Sequence, residues 1–384
     1  MSTIPAMIAN QSTVIKVSLL IPTLDQSGAE KQLSLLATSL PKEEFEVQVI
    51  ALTRGGPYET LLREHNIPVT ILKKRFKFDP LAYRALKKTI QQQQPDILHT
   101  WLFAANSYGR MAVKRLSKTR KTPKVIVSER CVDSWKSKWQ HNVDRRLLPQ
   151  TSLLVGNSQS VVDFYQEQGV PQSILRVVPN GIPIPAIANT ETTRKELFQQ
   201  YDIPADAQLM AFVGRLARQK RIEDLLWTLQ LLRQMNEKII LLLIGEGPER
   251  AKLEQLAHKY TVTPNVRFLG HRPDVKELFP LFDLFLLASD FEGQSNSVME
   301  AMSYGIPVIA SDIPPNRELV VHGETGFLTS VGDCTGYAQY AERILADPQL
   351  ASDLGTAARK KMQQDFSIAK MTAGYAALYR EVLA

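Results

Sequence analysis

Cysteine is nearly missing from this 384-residue chain, which carries only Cys131 and Cys334. That excludes a disulfide framework and a cysteine-rich zinc centre, and a reducing cytoplasm fits. Long apolar runs are missing too. The most hydrophobic stretches, "IILLLIG" and "LFPLFDLFLLA", fall far short of the roughly 20 residues a membrane-spanning helix needs. The opening "MSTIPAMIANQSTVIKVSLLIPTLD" has no basic region followed by an apolar one, so no secretory leader is expected, and residues 1–13 read as a loose tail. Several catalytic signatures are absent: G-x-x-x-x-G-K-[ST], G-x-S-x-G, H-E-x-x-H and G-x-G-x-x-G. The missing glycine fingerprint counts against a dehydrogenase. No Asp-x-Asp triplet is present to hold a divalent metal. Basicity alone supports nucleic acid weakly, because no zinc-finger spacing or aromatic-glycine RNA signature accompanies it.

What is present is ordinary for globular protein: 44% hydrophobic and 22% charged residues. The length favours two domains. The net charge of +7 is uneven: residues 1–184 hold 25 Lys+Arg against 14 Asp+Glu, and the remainder holds 21 against 25. Basic residues cluster in "KKRFK" (73–77), "RALKK" (84–88) and "KRLSKTRKTPK" (114–124). Such clusters form a solvated surface, or they attract an anionic membrane or a phosphate-bearing acceptor.

Short apolar runs alternate with helical periods along the first half. "VIKVSLLIP" (14–22) reads as a strand. "GAEKQLSLLATSL" (28–40) carries Leu33, Leu36, Ala37 and Leu40 on one helix face. The same rhythm runs through "FEVQVIALT", "VTILK", "DILHTW", "KVIVSER", "SLLVGNS" and "RVVPNGI". After the proline-rich "PNGIPIPAIANTETT" it restarts with "LMAFVGR", "KIILLLIGEG", "VRFLG", "LFLLAS" and "PVIASD". The expectation is α/β: two doubly wound domains, 14–184 and 185–366, with a hinge near 183–190. Ligands in such sheets bind at the carboxyl ends of strands, so two such edges would face one cleft. The final "SIAKMTAGYAALYREVL" is a helix (367–384) that must bury Met371, Tyr375, Leu378 and Tyr379, on its own domain or on the first.

The stretch "EGQSNSVMEAM", Glu292 to Met302, follows a strand and opens a helix. Gly293 permits a tight turn and close approach. Ser295 or Asn296 can cap the helix. The first-turn N–H groups, with Gln294, Ser295, Asn296 and Ser297 around them, suit an anion. Glu300 suits a ribose diol, and Glu292 would face the group beyond the phosphates. Taken alone, these features equally describe a capped helix with two solvated acids. Gly214, Arg215 and Lys220 in "FVGRLARQK" suit a diphosphate leaving group, supplying positive charge without a metal. On the first domain, Gly28, His99, Glu129, Arg130 and Asn157 lie near strand ends and are candidate acceptor-side or cleft contacts.

These pieces, in this order, resemble the retaining glycosyltransferases of family 4, which have the GT-B fold. The resemblance runs from residue 14 to 384. It rests on the acid pair Glu292 and Glu300 with "AMSYGIPVIASD", and on "SGAEKQ", "VVPNGI", "VGRL", "GEGPE" and "GETGFL". It implies transfer of a sugar from a nucleotide diphosphate sugar, UDP favoured, with retention, and with no metal or cofactor. Arg215 and Lys220 would hold the diphosphate and Glu300 the ribose. Glu292 and the turn from Gly293 to Ser297 would meet sugar and phosphate. Two features depart from the family pattern: Ser27 stands where relatives have a first glycine, and Glu129-Arg130 stand where many place a histidine. A glycan or lipid-linked acceptor, and a cytoplasmic or peripheral membrane location, are expected. A sugar-nucleotide epimerase of this fold, or a non-catalytic sugar-nucleotide-binding subunit, would present the same motifs.

Overall fold

The computed structural model describes residues 14–116, 122–132, 136–186 and 191–384. The loose tail expected at 1–13 lies outside the described residues, as does part of the basic run at 114–124. The first half alternates β1 (Ile15–Thr23), α1 (Gly28–Ser39), β2 (Phe45–Arg54), α2 (Pro57–Glu64), β3 (Val69–Ile71), α3 (Pro80–Gln93) and β4 (Ile97–Trp101). It continues with α4 (Leu102–Lys114), β5 (Lys124–Glu129), α5 (Lys138–Leu147), β6 (Leu153–Gly156), α6 (Gln159–Glu167) and β7 (Leu175–Val177). The second half runs α7 (Glu191–Gln200), β8 (Gln208–Val213), α8 (Ile222–Leu232), β9 (Ile239–Ile244), α9 (Arg250–Lys259), β10 (Val266–Gly270), α10 (Val275–Leu278) and β11 (Leu284–Leu287). Then follow α11 (Asn296–Ser303), β12 (Val308–Ser311), α12 (Pro314–Leu319), β13 (Phe327–Thr329), α13 (Cys334–Ala346), α14 (Pro348–Asp365) and α15 (Ile368–Leu383).

All strand pairs are parallel, because helices carry the chain back between strands. The first sheet has the order β3-β2-β1-β4-β5-β6-β7 and the second β10-β9-β8-β11-β12-β13. The strands read as apolar runs because both faces are covered: every residue of β9, "IILLLI", is buried. In each sheet the winding reverses once, between β1 and β4 and between β8 and β11. Those reversals open the crevices in which α/β sheets bind ligands. The fold is therefore the expected pair of doubly wound domains. Helices α5, α6, α7, α12, α13 and α14 go beyond the sequence reading; α5 is mostly polar and buries only Leu147.

The open question of α15 has a clear answer. Ser367 caps the helix, and its Met371, Tyr375, Leu378 and Tyr379 join the core of the first sheet with Val17, Leu19 and Trp101. The chain thus crosses between sheets twice, side by side: Ile182 N–H donates to the Phe366 carbonyl at 2.8 Å. A further tie is made by Glu318 of α12. Its carboxylate accepts from the backbone N–H groups of Gln159 and Ser160, both at 3.0 Å, at the start of α6. An acid at a helix N-terminus meets unpaired N–H groups and the favourable end of the dipole.

Candidate functional site

The two reversal points face each other, and the candidate residues gather around them. After β8, Gly214 N–H donates to the Ile244 carbonyl at 2.9 Å, and Leu216 N–H to the Glu246 carbonyl at 3.0 Å. Leu216 is fully buried, which anchors the loop and leaves Arg215 exposed beside it. Among the described residues no hydrogen bond or ion pair engages the Arg215 side chain. Lys220 closes a short 3-10 turn and meets Glu292 at 2.5 Å. Glu292 also accepts from Ser289 Oγ at 2.6 Å and is only 8% exposed.

Ser295 occupies the cap position of α11, but its side chain makes no capping hydrogen bond. Asn296, the first helical residue, reaches across the cleft instead of capping. It donates to the Gly28 carbonyl at 3.1 Å, and its Oδ1 accepts from Gln32 at 3.1 Å and Asn180 at 2.9 Å. The leading N–H groups of α11 therefore have no side-chain cap and open onto the seam. Gln294 accepts from the Asn180 N–H at 2.6 Å. Its Nε2 atom is buried with no partner among the described residues, as is Oδ1 of Asn157. A buried unpaired polar atom costs about 1–3 kcal/mol, so two in one seam favour a ligand that supplies hydroxyls.

Glu300 is paired with Lys31 of α1, across the cleft, and both side chains are mostly buried. Nearby, burial and then the Glu300 and Glu30 carboxylates push the Tyr58 hydroxyl up to about 12. Lys31, Gln32 and Asn180 were quoted within sequence motifs but not recognised as site residues. Their signal is tertiary, since Lys31 and Glu300 are 269 positions apart.

Of the first-domain candidates, Gly28 lies directly against Asn296, and Arg130 lies on the seam. Arg130 packs over the Trp101 ring at 4.6 Å and donates to Asn180 and to Tyr375. No carboxylate touches it among the described residues, and burial lowers its pKa from the usual arginine value. Asn157 donates to the Arg130 carbonyl at 3.4 Å. Glu129 turns inward: it is 3% exposed and takes hydrogen bonds from Asn106 at 3.0 Å and Lys136 at 3.4 Å.

His99 corrects the sequence expectation. It is fully buried, with Nδ1 at 2.7 Å from the Tyr379 hydroxyl and Nε2 at 2.8 Å from Ser128 Oγ. Both ring nitrogens are engaged, so in this structure it offers no atom to a ligand and instead fixes α15 to the first sheet. Burial, helped by the Arg130 charge, pulls its pKa down to about 3. The unfolded chain, with a histidine pKa near 6.5, binds more protons between about pH 3 and 6.5. Stability is thus full above about pH 6.5 and falls below it, by about 1.4 kcal/mol per pH unit from this group. Urea unfolding at pH 7.5 and 5.0 should show that loss, and His99→Gln should flatten it.

Gly293 meets the other domain's backbone. A Cβ there would lie 1.9 Å from the Arg130 carbonyl oxygen, which cannot retreat as a flexible side chain would. Gly293→Ala is expected to hold the seam open, cutting turnover by about 100-fold. The melting temperature should change little, because neither core is touched. Steady-state kinetics and calorimetry on the same sample check both.

No group of three or more metal-ligating side chains is found among the described residues. No described helix is long and apolar enough to cross a membrane.

Comparison with known proteins gives the site its family. Residues 26–184 match Glycosyltransferase Family 4, and residues 193–361 match Glycosyl transferases group 1. The chain is 29% identical over 244 residues to the N-acetyl-alpha-D-glucosaminyl L-malate synthase of Bacillus anthracis, covering 63% of each. It thus spans less than two thirds of that relative's length. A Campylobacter jejuni enzyme is 26% identical over 96% of this chain and 99% of its own. That enzyme is an alpha-1,4-N-acetyl-D-galactosaminyltransferase acting on a diNAcBac-PP-undecaprenol-linked glycan. Among solved structures, Anabaena HepE in complex with UDP shares the fold, with a TM-score of 0.82 at 23% identity, over 96% of this chain and 100% of HepE. The two parallel sheets, their facing reversal points and both sequence matches agree: this chain belongs to glycosyltransferase family 4, with the GT-B fold.

Proposed function

We propose that this chain transfers a sugar from a nucleotide diphosphate sugar, with UDP as the favoured nucleotide, to a glycan or lipid-linked acceptor in cell-surface polysaccharide synthesis. One observation carries the reading. Arg215, without a partner among the described residues, and the uncapped start of α11 flank the β8/β11 reversal point, with Glu292 and Glu300 at either end of the α11 entry. A diphosphate fits between the cations and the helix N-terminus. A ribose fits Glu300, and the sugar fits Glu292 and Gln294. The nucleotide bound to HepE and the lipid-linked substrate of the Campylobacter relative support this direction.

In this proposal the bond from the anomeric carbon to the diphosphate oxygen breaks, and the acceptor oxygen bonds to that carbon on the same face, giving retention. The acceptor proton passes to a leaving diphosphate oxygen, so no side chain acts as base. Arg215 and Lys220 stabilise the charge that develops on the leaving group, and no metal is required. Arg130, a cation without a carboxylate partner among the described residues, is proposed to supply positive charge where many relatives have a histidine. Closure of the seam excludes water as a competing acceptor. The proposed location is cytoplasmic, at the inner face of the plasma membrane.

A donor panel tests the reading: release of nucleoside diphosphate from UDP-, GDP- and ADP-sugars, with and without EDTA. Release from one donor that persists in EDTA is expected. Conversion of the donor alone to an isomer would assign an epimerase, and nucleotide binding with no turnover under any acceptor would assign a binding subunit.

A further inference from the structure

We propose that residues 73–88, between β3 and the outer face of α3, form a docking surface for an anionic lipid bilayer. For its purpose this rests on the lipid-linked acceptor reading; its observations stand apart. Phe76 and Phe78 are 68% and 63% exposed, and Leu81 is 73% exposed, so three large apolar side chains project within six positions. They are not loosely held. Lys74 N–H donates to the Leu52 carbonyl at 2.7 Å, Arg75 N–H to Asp79 at 2.9 Å, and Asp79 N–H to the Tyr108 hydroxyl at 2.6 Å. The loop backbone is fixed while its aromatic tips face outward.

Charge surrounds those tips. The stretch "KKRFKFDPLAYRALKK" has seven Lys or Arg and one acid, Asp79. Asp79 is buried and caps α3 through Leu81 and Ala82, and the cations outnumber it seven to one. Helix α3 turns Ala82, Leu86 and Ile90 to the core and leaves Arg84 and Lys88 exposed. An apolar wedge ringed by cations matches the interface of an anionic bilayer, where aromatic side chains enter the headgroup layer and lysines meet lipid phosphates. A nucleic-acid duplex would engage the cations and leave the three apolar tips in water, and a single strand, which can stack bases on Phe76 and Phe78, would still leave Leu81 there.

Position completes the argument. Strand β3 is the edge of an all-parallel sheet, and the loop leaves its carboxyl end. That is the same edge from which Gly28 and Arg130 reach the seam. Trp139, 63% exposed and edge-on to Phe103 at 5.8 Å, follows β5 at this edge too. A bilayer seated here would lie beside the cleft mouth, where a lipid-linked acceptor would enter.

The test is co-sedimentation of the full chain with phosphatidylcholine vesicles and with equimolar phosphatidylcholine–phosphatidylglycerol vesicles, at low and high salt. Binding to the anionic vesicles alone is expected, weakened by salt. The Phe76→Ser/Phe78→Ser double variant should bind about tenfold more weakly. Its circular dichroism and its donor turnover in solution should match the wild type, since neither residue touches the seam. Absence of vesicle binding, equal binding to neutral vesicles, or wild-type binding by the double variant would overturn the proposal. Retention of the protein by RNA without vesicle binding would assign the patch to a polyanion and overturn it as well. Failure of the transfer reading shows elsewhere, as a donor panel with no release, and leaves the vesicle result intact.

Discussion

Arg215→Ala is expected to lower kcat by about 10²–10³-fold, with little change in melting temperature. The size follows from the role: a fixed charge aimed at a leaving group is worth about 3–4 kcal/mol in a closed site. The small stability effect follows from the loop. Arg215 is exposed and unpaired among the described residues, whereas Leu216 beside it is buried and tied to Glu246 and Glu249 through the backbone. The loops are interlocked closely enough that a Cβ on Gly245 would lie 2.0 Å from the Gly214 carbonyl oxygen. Removing the arginine leaves this scaffold in place, and exposed substitutions away from such anchors usually change stability by less than about 0.5 kcal/mol. Arg215→Lys should recover only part of the loss, because an ammonium cannot match the two-pronged geometry of a guanidinium. Steady-state kinetics with the best donor of the panel reads both variants. Wild-type kcat in Arg215→Ala would remove this residue from the account.

The second large effect concerns Glu300 and Lys31. In the structure Lys31 occupies the carboxylate that the transfer reading assigns to ribose. Donor binding must then displace the lysine. Glu300→Ala should weaken UDP binding by about 10–100-fold, the loss of one or two charge-assisted hydrogen bonds. It should also cost stability, since Lys31 would keep its mostly buried position without a partner. Lys31→Met should also cost some stability, by leaving the Glu300 carboxylate unpaired, but should act oppositely on binding, freeing Glu300 for the diol and tightening UDP binding a few-fold. The double variant should bind UDP like Glu300→Ala and regain stability. Calorimetric titration of all four proteins closes the cycle. Weaker binding in Lys31→Met would show that the lysine contacts the nucleotide rather than competing with it.

The alternation of strands and helices was legible because buried parallel strands are written as unbroken apolar runs, as in β9. Helices α5 and α12 were not, the first because it is polar, the second because its six residues are too few for a period. For α15 the apolar face was legible but its destination was not. A stripe of Met371, Tyr375, Leu378 and Tyr379 records that something must cover it, and only the tertiary fold supplies the partner. The site divides in the same way. Glu292, Gly293 and Glu300 share one local turn and helix, and Gly214, Arg215 and Lys220 share one loop, so spacing exposed them. Lys31, Gln32, Asn180 and Glu318 act across the cleft, and no local pattern marks a contact between distant segments. His99 misled because a strand-end position was read as cleft-facing, while α15 returned to cover it.

The most direct test of the account is a structure of the protein with UDP. The account predicts the nucleotide in the seam, its diphosphate between Arg215 and the start of α11, its ribose on Glu300, and Lys31 moved off that carboxylate. UDP bound outside the seam, or bound with the Lys31–Glu300 pair intact, would contradict it.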